Sequence, residues 1–143
     1  MTNQGRNLKY LLDTNICIYI INENPISVLK NLNSHENDEI YISTPTISEL
    51  YYGALNSKRK EENLMKLDKF LTAFKDNILK FDTISARQYA NIRLFIAQNG
   101  KRNIGDKDMD IAAISLANDA ILVTNNEKDF NFLPNLKIEN WAR

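Results

Sequence analysis

Carboxylate side chains are the residues of this sequence whose types and positions could do chemistry. Five of them border apolar runs of the chain: Asp13, Glu49, Asp106, Asp108 and Asp110. Carboxylates brought close together raise one another's pKa unless a cation lies between them. Oxygen ligands without histidine or cysteine favour Mg²⁺ or Mn²⁺ over zinc or copper, and such an ion can activate water against a phosphodiester bond. The acids therefore predict a metal site with phosphoryl transfer as its chemistry.

The scarce residues exclude other kinds of site. The chain has one histidine, His35, and one cysteine, Cys17. Zinc sites need several Cys or His ligands, so a zinc finger or zinc hydrolase is nearly excluded. A serine or cysteine nucleophile would have to use His35, which lies in the polar stretch Asn33–Asp38. A lone cysteine in an apolar run cannot form an internal disulfide, and it indicates a reduced, cytoplasmic protein.

Length, charge and hydropathy limit the domain organisation of the chain and how it could bind a nucleic acid or a membrane. Its 143 residues, 43% hydrophobic and 25% charged, predict one globular domain over residues 1–143. Lys+Arg 18 against Asp+Glu 18 gives no global basic field. The run Lys58, Arg59 and Lys60 is a candidate RNA-phosphate contact and, with equal weight, a solvated helix end. The apolar stretch Tyr10–Ile21 contains Asp13 and Asn15, so we expect no membrane contact.

The elements that must position these acids follow from the hydrophobic pattern. Apolar runs predict strands at Lys9–Leu12, Glu39–Ser43, Ile78–Phe81 and Ala120–Val123. Helical spacing between them predicts a first helix with Thr14 or Asn15 as its cap. It also predicts helices that begin at Ile26, at Thr44, in the charged run before Leu64, at Ala86, and at Asp106 or Asp108. Strands that alternate with helices predict a mainly parallel sheet flanked by helices on both faces. The segment after Val123 is expected to be a loose tail up to Trp141.

Functional sites in open parallel sheets lie beyond the carboxyl ends of the strands. Asp13 follows the first predicted strand, and Thr124 and Asn126 follow the last. Each acid also has a purely structural interpretation. Asp13 or Asp106 could cap a helix, Asp108 could face a helix dipole, and Glu49 could simply be solvated.

Four segments, in this order, resemble the PIN-domain family and specifically its VapC-type toxins: Tyr10–Ile16, Ile47–Ala54, Ile104–Ala113 and Leu122–Asn126. The resemblance extends over nearly the whole chain, to Trp141. It implies an α/β/α sandwich and an endoribonuclease that uses Mg²⁺ or Mn²⁺ and often cuts tRNA. It also implies a homodimer or a hetero-oligomer with a VapB-type antitoxin that blocks the cleft, DNA being met only through that antitoxin. Exposed apolar side chains predict a groove for an antitoxin segment, with one basic side chain reaching the acids.

The resemblance assigns the catalytic and metal-binding acids to Asp13, Glu49 and Asp108, the last standing three residues before Ile-Ala-Ala. It gives supporting positions to Asn15, Thr124 and Asn126. Relatives often carry a fourth acid at the position of Asn126, so this departure puts a tightly held second metal in doubt. It assigns no role to Asp106 or Asp110.

Two alternatives come from different classes of protein. Receiver domains and dehalogenase-like phosphatases also place an aspartate after the first strand. The phosphatase motif, however, wants an acid where this chain has Asn15, and no acid pair adjoins Asp82 after the third strand. In the other alternative the protein is not a catalyst, and its acids bind a partner or a regulatory ion.

Overall fold

The computed structural model describes residues 8–100 and 104–143. These residues contain five strands: β1 (Lys9–Leu12), β2 (Glu39–Ser43), β3 (Ile78–Leu79), β4 (Ile121–Val123) and β5 (Ile138–Glu139). They also contain seven helices: α1 (Thr14–Asn22), α2 (Ile26–Ser34), α3 (Thr44–Leu55), α4 (Lys60–Ala73), α5 (Thr83–Gln98), α6 (Asp106–Ala117) and α7 (Glu127–Phe130). No helix among them is long and apolar enough to cross a bilayer.

The strands form one sheet in the order β3-β2-β1-β4-β5, and every neighbouring pair is parallel. In the central pair, Leu12 of β1 lies opposite Val123 of β4. The Asp13 backbone N–H continues that ladder by donating to the Val123 carbonyl at 2.9 Å. The residues that follow β1 and β4 therefore lie side by side at the carboxyl edge of the sheet, as predicted.

Helices cover both faces of the sheet. Tyr10 and Leu12 of β1 pack with helices α1 to α4, whereas Leu11 between them packs with α5 and α6 on the opposite face. All three side chains are at most 2% exposed. The alternation of buried side chains along β1 builds two cores on one sheet, which confirms the three-layer α/β/α prediction.

The expectation of a loose tail after Val123 is wrong. The tail contributes α7 and then β5, which extends the sheet beyond β4. Trp141 is 1% exposed, and its ring stacks on His35 with ring centroids 4.7 Å apart. A strand of two residues is too short to show an alternation of apolar and polar residues in the sequence. Its position depends on pairing with β4. His35 is thus part of an aromatic contact with Tyr10 and Trp141.

Four element boundaries differ from the prediction. Strand β4 begins at Ile121, one residue after the predicted Ala120. The third strand ends at Leu79, and α5 begins at Thr83 because Asp82 caps it, its carboxylate accepting from the Ser85 N–H at 2.9 Å. Helix α1 is capped by Asp13, neither Thr14 nor Asn15 being the cap. Gly100 follows the end of α5 with a positive φ of 94°, a conformation that favours glycine.

Candidate active site

Asp13 is the buried acid at the carboxyl edge of the sheet. It is 2% exposed and caps α1, its Oδ1 accepting from the Thr14 N–H at 2.8 Å. Its Oδ2 accepts from the Thr124 hydroxyl at 2.7 Å. Burial raises the pKa of Asp13, and the two hydrogen bonds only partly oppose that shift. Asp13 is therefore both a cap and an energetically costly buried carboxylate, a combination typical of a functional group.

Asp108 lies in the first turn of α6, where the helix dipole favours a carboxylate. Its side chain is 20% exposed. Burial raises the pKa of Asp108, and the negative charge of Asp13 raises it further. Asp13 and Asp108 therefore lie close enough to repel each other, as the sequence predicted for acids that share a site.

Glu49 of α3 completes what we call the acid cluster: Asp13, Glu49 and Asp108. The Glu49 side chain is 44% exposed and is not simply solvated, because its Oε1 lies 2.8 Å from the Lys107 ammonium. Lys107 Nζ also lies 3.9 Å from Asp108 Oδ1. Lys107 was not predicted from the sequence, because its contact with Glu49 joins α6 to α3.

The charges around Lys107 raise its pKa by more than its burial lowers it. Burial alone would lower the pKa of Lys107, but the hydrogen bond to Glu49 and the charges of the acid cluster together hold it above its usual value. The lysine is therefore a stable cation among these carboxylates.

Asp106 and Asp110 lie apart from the acid cluster. The cap of α6 is Gly105, so the interpretation of Asp106 as the cap is wrong. Asp106 instead accepts from the Tyr89 hydroxyl of α5 at 3.1 Å. Burial raises the pKa of Asp110, and the charge of Asp106 adds to it. These two acids share a helix face directed toward α5, whereas Asp108 faces Asp13.

The supporting polar residues hold the strand ends together. Thr124 is fully buried, and its Oγ1 accepts from the Asn126 backbone N–H at 3.0 Å. Asn15 Oδ1 accepts from the Asn125 backbone N–H at 3.4 Å. Asn125, which the sequence analysis passed over, also donates from Nδ2 to the Tyr19 hydroxyl at 3.0 Å. Asn126 thus supports the site through its backbone, which orients the Thr124 hydroxyl.

The basic run begins in the connection between α3 and α4 and ends at Lys60, the first residue of α4. The Arg59 side chain is 80% exposed and pairs with Glu62 at 3.5 Å. Lys58 and Lys60 are also exposed. Their role as RNA contacts stays a prediction.

The donor set of the acid cluster fits a hard divalent cation. Among the described residues, no group of three or more acids, histidines or cysteines is already gathered closely enough to hold a metal. Mg²⁺ is nevertheless usually held by one or two carboxylates together with water. Asp13 and Asp108 are two carboxylates that could hold such an ion, and Glu49 could join them if its contact with Lys107 opened.

An apolar groove adjoins the acid cluster between α1, α3 and α4. Its apolar lining consists of Ile18, Ile21, Leu50, Gly53, Ala54 and Leu67. Glu49 also lines it, together with Asn22, Asn63 and Lys66. An apolar groove that ends on a carboxylate is the surface that the sequence analysis expected for a partner segment.

Comparison with known proteins agrees with this geometry. Residues 10–134 match the PIN domain. Ribonuclease VapC2 of Rickettsia felis is 44% identical over 135 residues, which cover 94% of this chain and 98% of that protein. The tRNA(fMet)-specific endonuclease VapC of Shigella flexneri is 36% identical, with 94% and 99% covered. The crystal structure of VapBC2 from Rickettsia felis, bound to a DNA fragment from its promoter, superposes with a TM-score of 0.86 at 42% identity, covering 94% of this chain and 99% of that one.

Proposed function

The chain belongs to the PIN-domain family, and we propose that it is the RNA-cleaving toxin of a VapBC-type toxin–antitoxin pair. The observation that carries this proposal is the acid cluster at the carboxyl edge of the sheet, where the Lys107 ammonium lies 2.8 Å from Glu49 and 3.9 Å from Asp108, next to the buried Asp13. Carboxylates gathered in this way are costly to the fold unless a cation lies among them, and a divalent cation there suits hydrolysis of a phosphodiester bond.

The reaction is hydrolysis of an RNA phosphodiester bond, with Mg²⁺ or Mn²⁺ as the proposed cofactor. When bound, the metal offsets the carboxylates and lowers the pKa of water, which supplies the nucleophile. Asp13 is suited to hold it because both of its oxygens are fixed, one by the Thr14 N–H and one by the Thr124 hydroxyl. Asp108 presents the second carboxylate from a rigid helix, and half-exposed Glu49 can move between Lys107 and the site.

Transfer RNA is the proposed substrate. One relative is named as a tRNA(fMet)-specific endonuclease, and it aligns with 94% of this chain. Because the chain has no net charge, RNA phosphates must be met locally, and the run Lys58, Arg59 and Lys60 remains the candidate.

The partner is an antitoxin of the VapB type, and the apolar groove is its proposed docking surface. An amphipathic helix lays its apolar residues into such a groove. A basic side chain of the antitoxin would then meet Glu49, which lines the same groove. We propose a homodimer as the toxin's own assembly and contact with DNA only through the antitoxin, as in a complex such as the promoter-bound VapBC2.

The phosphoacceptor alternative receives no support from the site. A phosphatase of the dehalogenase type needs a second acid two residues after Asp13, and this chain has Asn15 there, whose Oδ1 accepts from the Asn125 backbone N–H. No specific observation favours a non-catalytic binding protein over an enzyme.

The test combines cleavage and toxicity. Purified protein is incubated with total tRNA in Mg²⁺ or Mn²⁺ and in EDTA, and induced cells are followed for growth. We expect discrete fragments only with metal, growth arrest, and loss of both in Asp13→Asn. Asp119→Asn is the matched control, because this acid is 92% exposed beyond the opposite ends of the strands. Intact RNA and normal growth at confirmed expression would refute the proposal, and labelling by acetyl phosphate would select the phosphoacceptor.

A further inference from the structure

Lys107 supplies a positive charge inside the acid cluster from the chain itself. Its ammonium is 2.8 Å from Glu49 and 3.9 Å from Asp108, and it also interacts with the charge of Asp13. All three acids of the cluster are thus balanced in part by one side chain. A divalent metal bound at the cluster would compete with this charge for the same carboxylates.

The helix gives no reason for a lysine at this position. Lys107 is in the first turn of α6, where the positive end of the helix dipole disfavours a cation. Its contacts with Glu49 and Asp108 offset that cost. The lysine is therefore held here by the acids of the cluster, and its ammonium is a compact point charge that can substitute electrostatically for a metal ion.

The ion pair is also weak enough to exchange. The side chains of Lys107 and Glu49 are 38% and 44% exposed, and partly exposed pairs of this kind contribute little net stability. A divalent cation carries twice the charge and can displace the ammonium from Glu49. The flexible stem of the lysine lets it move into solvent without a change in the backbone.

We propose that Lys107 is the internal counter-ion of the acid cluster and competes with a divalent metal for Glu49, so that it sets how tightly this chain binds that metal. The inference rests on the proposed function, because the acid cluster must be the metal site. With the lysine in place, the cluster and its counter-ion carry two net negative charges; without it they carry three. Lys107 therefore lowers the affinity of the cluster for a metal and reduces the repulsion among its carboxylates when no metal is bound.

The experiment is a calorimetric titration with Mn²⁺ on the full chain. Lys107→Met removes the charge and keeps a flexible apolar stem, and Lys107→Arg keeps the charge. Lys137→Met is the matched control, because this lysine pairs with Asp119 at 3.9 Å beyond the opposite strand ends. We expect Lys107→Met to bind Mn²⁺ about tenfold more tightly than the unmodified chain, the effect of one unit charge at a few ångströms in a partly exposed site. Lys107→Arg and Lys137→Met should bind as the unmodified chain does.

Thermal melting gives a second measurement that does not depend on activity. In EDTA, Lys107→Met should melt at a lower temperature than the unmodified chain, because three carboxylates lose their counter-ion. Saturating Mn²⁺ should then raise its melting temperature by more, since tighter ligands stabilise more.

Three results would overturn the inference. If the unmodified chain binds Mn²⁺ and cuts RNA but Lys107→Met binds no more tightly, the lysine does not compete, and the proposed function stands. If Lys107→Arg binds as tightly as Lys107→Met, the charge is not the cause. Absence of both Mn²⁺ binding and cleavage in the unmodified chain would overturn the inference and the proposed function together.

Discussion

The Thr124 hydroxyl donates a 2.7 Å hydrogen bond to Asp13 Oδ2 and thereby joins the ends of two adjacent strands. Thr124 is fully buried, so water does not compete for this bond. The same Oγ1 accepts from the Asn126 N–H, which fixes the direction in which its proton points. The contact lowers the pKa of Asp13 against the larger effect of burial, so it helps to keep this carboxylate ionised.

Removing that hydroxyl should weaken catalysis more than folding. Thr124→Val has nearly the same shape but leaves Asp13 Oδ2 without its donor, and burial then raises the pKa of Asp13 further. We expect RNA cleavage at neutral pH to fall about tenfold, the effect of about 1.4 kcal/mol lost from one hydrogen bond to a charged group. The measurement is the initial cleavage rate at saturating Mg²⁺.

Thr124→Ser is the control, since it keeps the hydroxyl and deletes one methyl group. It should retain most of the cleavage rate. Equal losses in the valine and serine variants would mean that packing, and not the hydrogen bond, is what Asp13 requires.

Gly53 offers a way to fill the apolar groove without disturbing the fold. It lies within α3 and lines the groove, and a Cβ at this position would meet nothing within 4 Å. Gly53→Trp should therefore fold and cleave RNA as before, but its bulk should exclude the antitoxin segment. Co-purification with the antitoxin should fall at least about tenfold, since buried hydrophobic anchors dominate such interfaces.

Gly53→Ala is the matched variant for the groove. It should bind the antitoxin normally and stabilise α3 by about 0.5–1 kcal/mol, because alanine is the better residue inside a helix. Unchanged antitoxin binding by Gly53→Trp would show that the partner docks on another surface.

The cap of α5 predicts a dependence of stability on pH. The Ser85 backbone N–H and hydroxyl both donate to Asp82 and hold the pKa of this carboxyl below its usual value. A lowered pKa in the folded state contributes stability above the ordinary aspartate value of about 3.9, and this contribution is lost as the pH falls through the folded pKa. Asp82→Ala should therefore lower the melting temperature at pH 7, and the difference should shrink below about pH 4.

Asp82→Asn separates the hydrogen bond from the charge. Asparagine still accepts from the Ser85 N–H but does not titrate over this range. Its melting temperature at pH 7 should lie between those of the other two proteins. A deficit of Asp82→Ala that stayed constant from pH 7 to pH 3 would contradict the assignment.

The elements with a strong local pattern could be predicted from the sequence. Strand β1 is a continuous apolar run and β2 alternates, so their bounds agree with the structure. Strand β5 has two residues and exists because it pairs with β4, which no local pattern reveals. The start of α5 was missed because a single capping side chain, Asp82, sets it three residues before the apolar pattern begins.

The candidate site, too, could be predicted from the sequence only in part. Asp13 could be identified because a carboxylate directly after a buried strand has few structural roles. The contact between Lys107 and Glu49 could not, because it joins two helices whose relative placement depends on the whole fold. Aspartate is common at the N-cap of a helix, so the sequence offers Asp106 as the cap of α6, whereas the backbone places Gly105 at that position.

The three aspartates of α6 face different sides of the helix. Asp108 faces Asp13, while Asp106 contacts Tyr89 on the opposite side and Asp110 interacts with Asp106. We expect Asp108→Asn to lower Mg²⁺-dependent cleavage by at least about a hundredfold, as the loss of a charged ligand should. Asp106→Asn should cost little, because asparagine still accepts from the Tyr89 hydroxyl, and Asp110→Asn should retain most of the activity. The measurement is the initial cleavage rate against Mg²⁺ concentration, with folding checked by circular dichroism. An inactive Asp110→Asn beside an active Asp108→Asn would mean that the metal is held from the other face of α6, since residues two apart on a helix point about 200° apart.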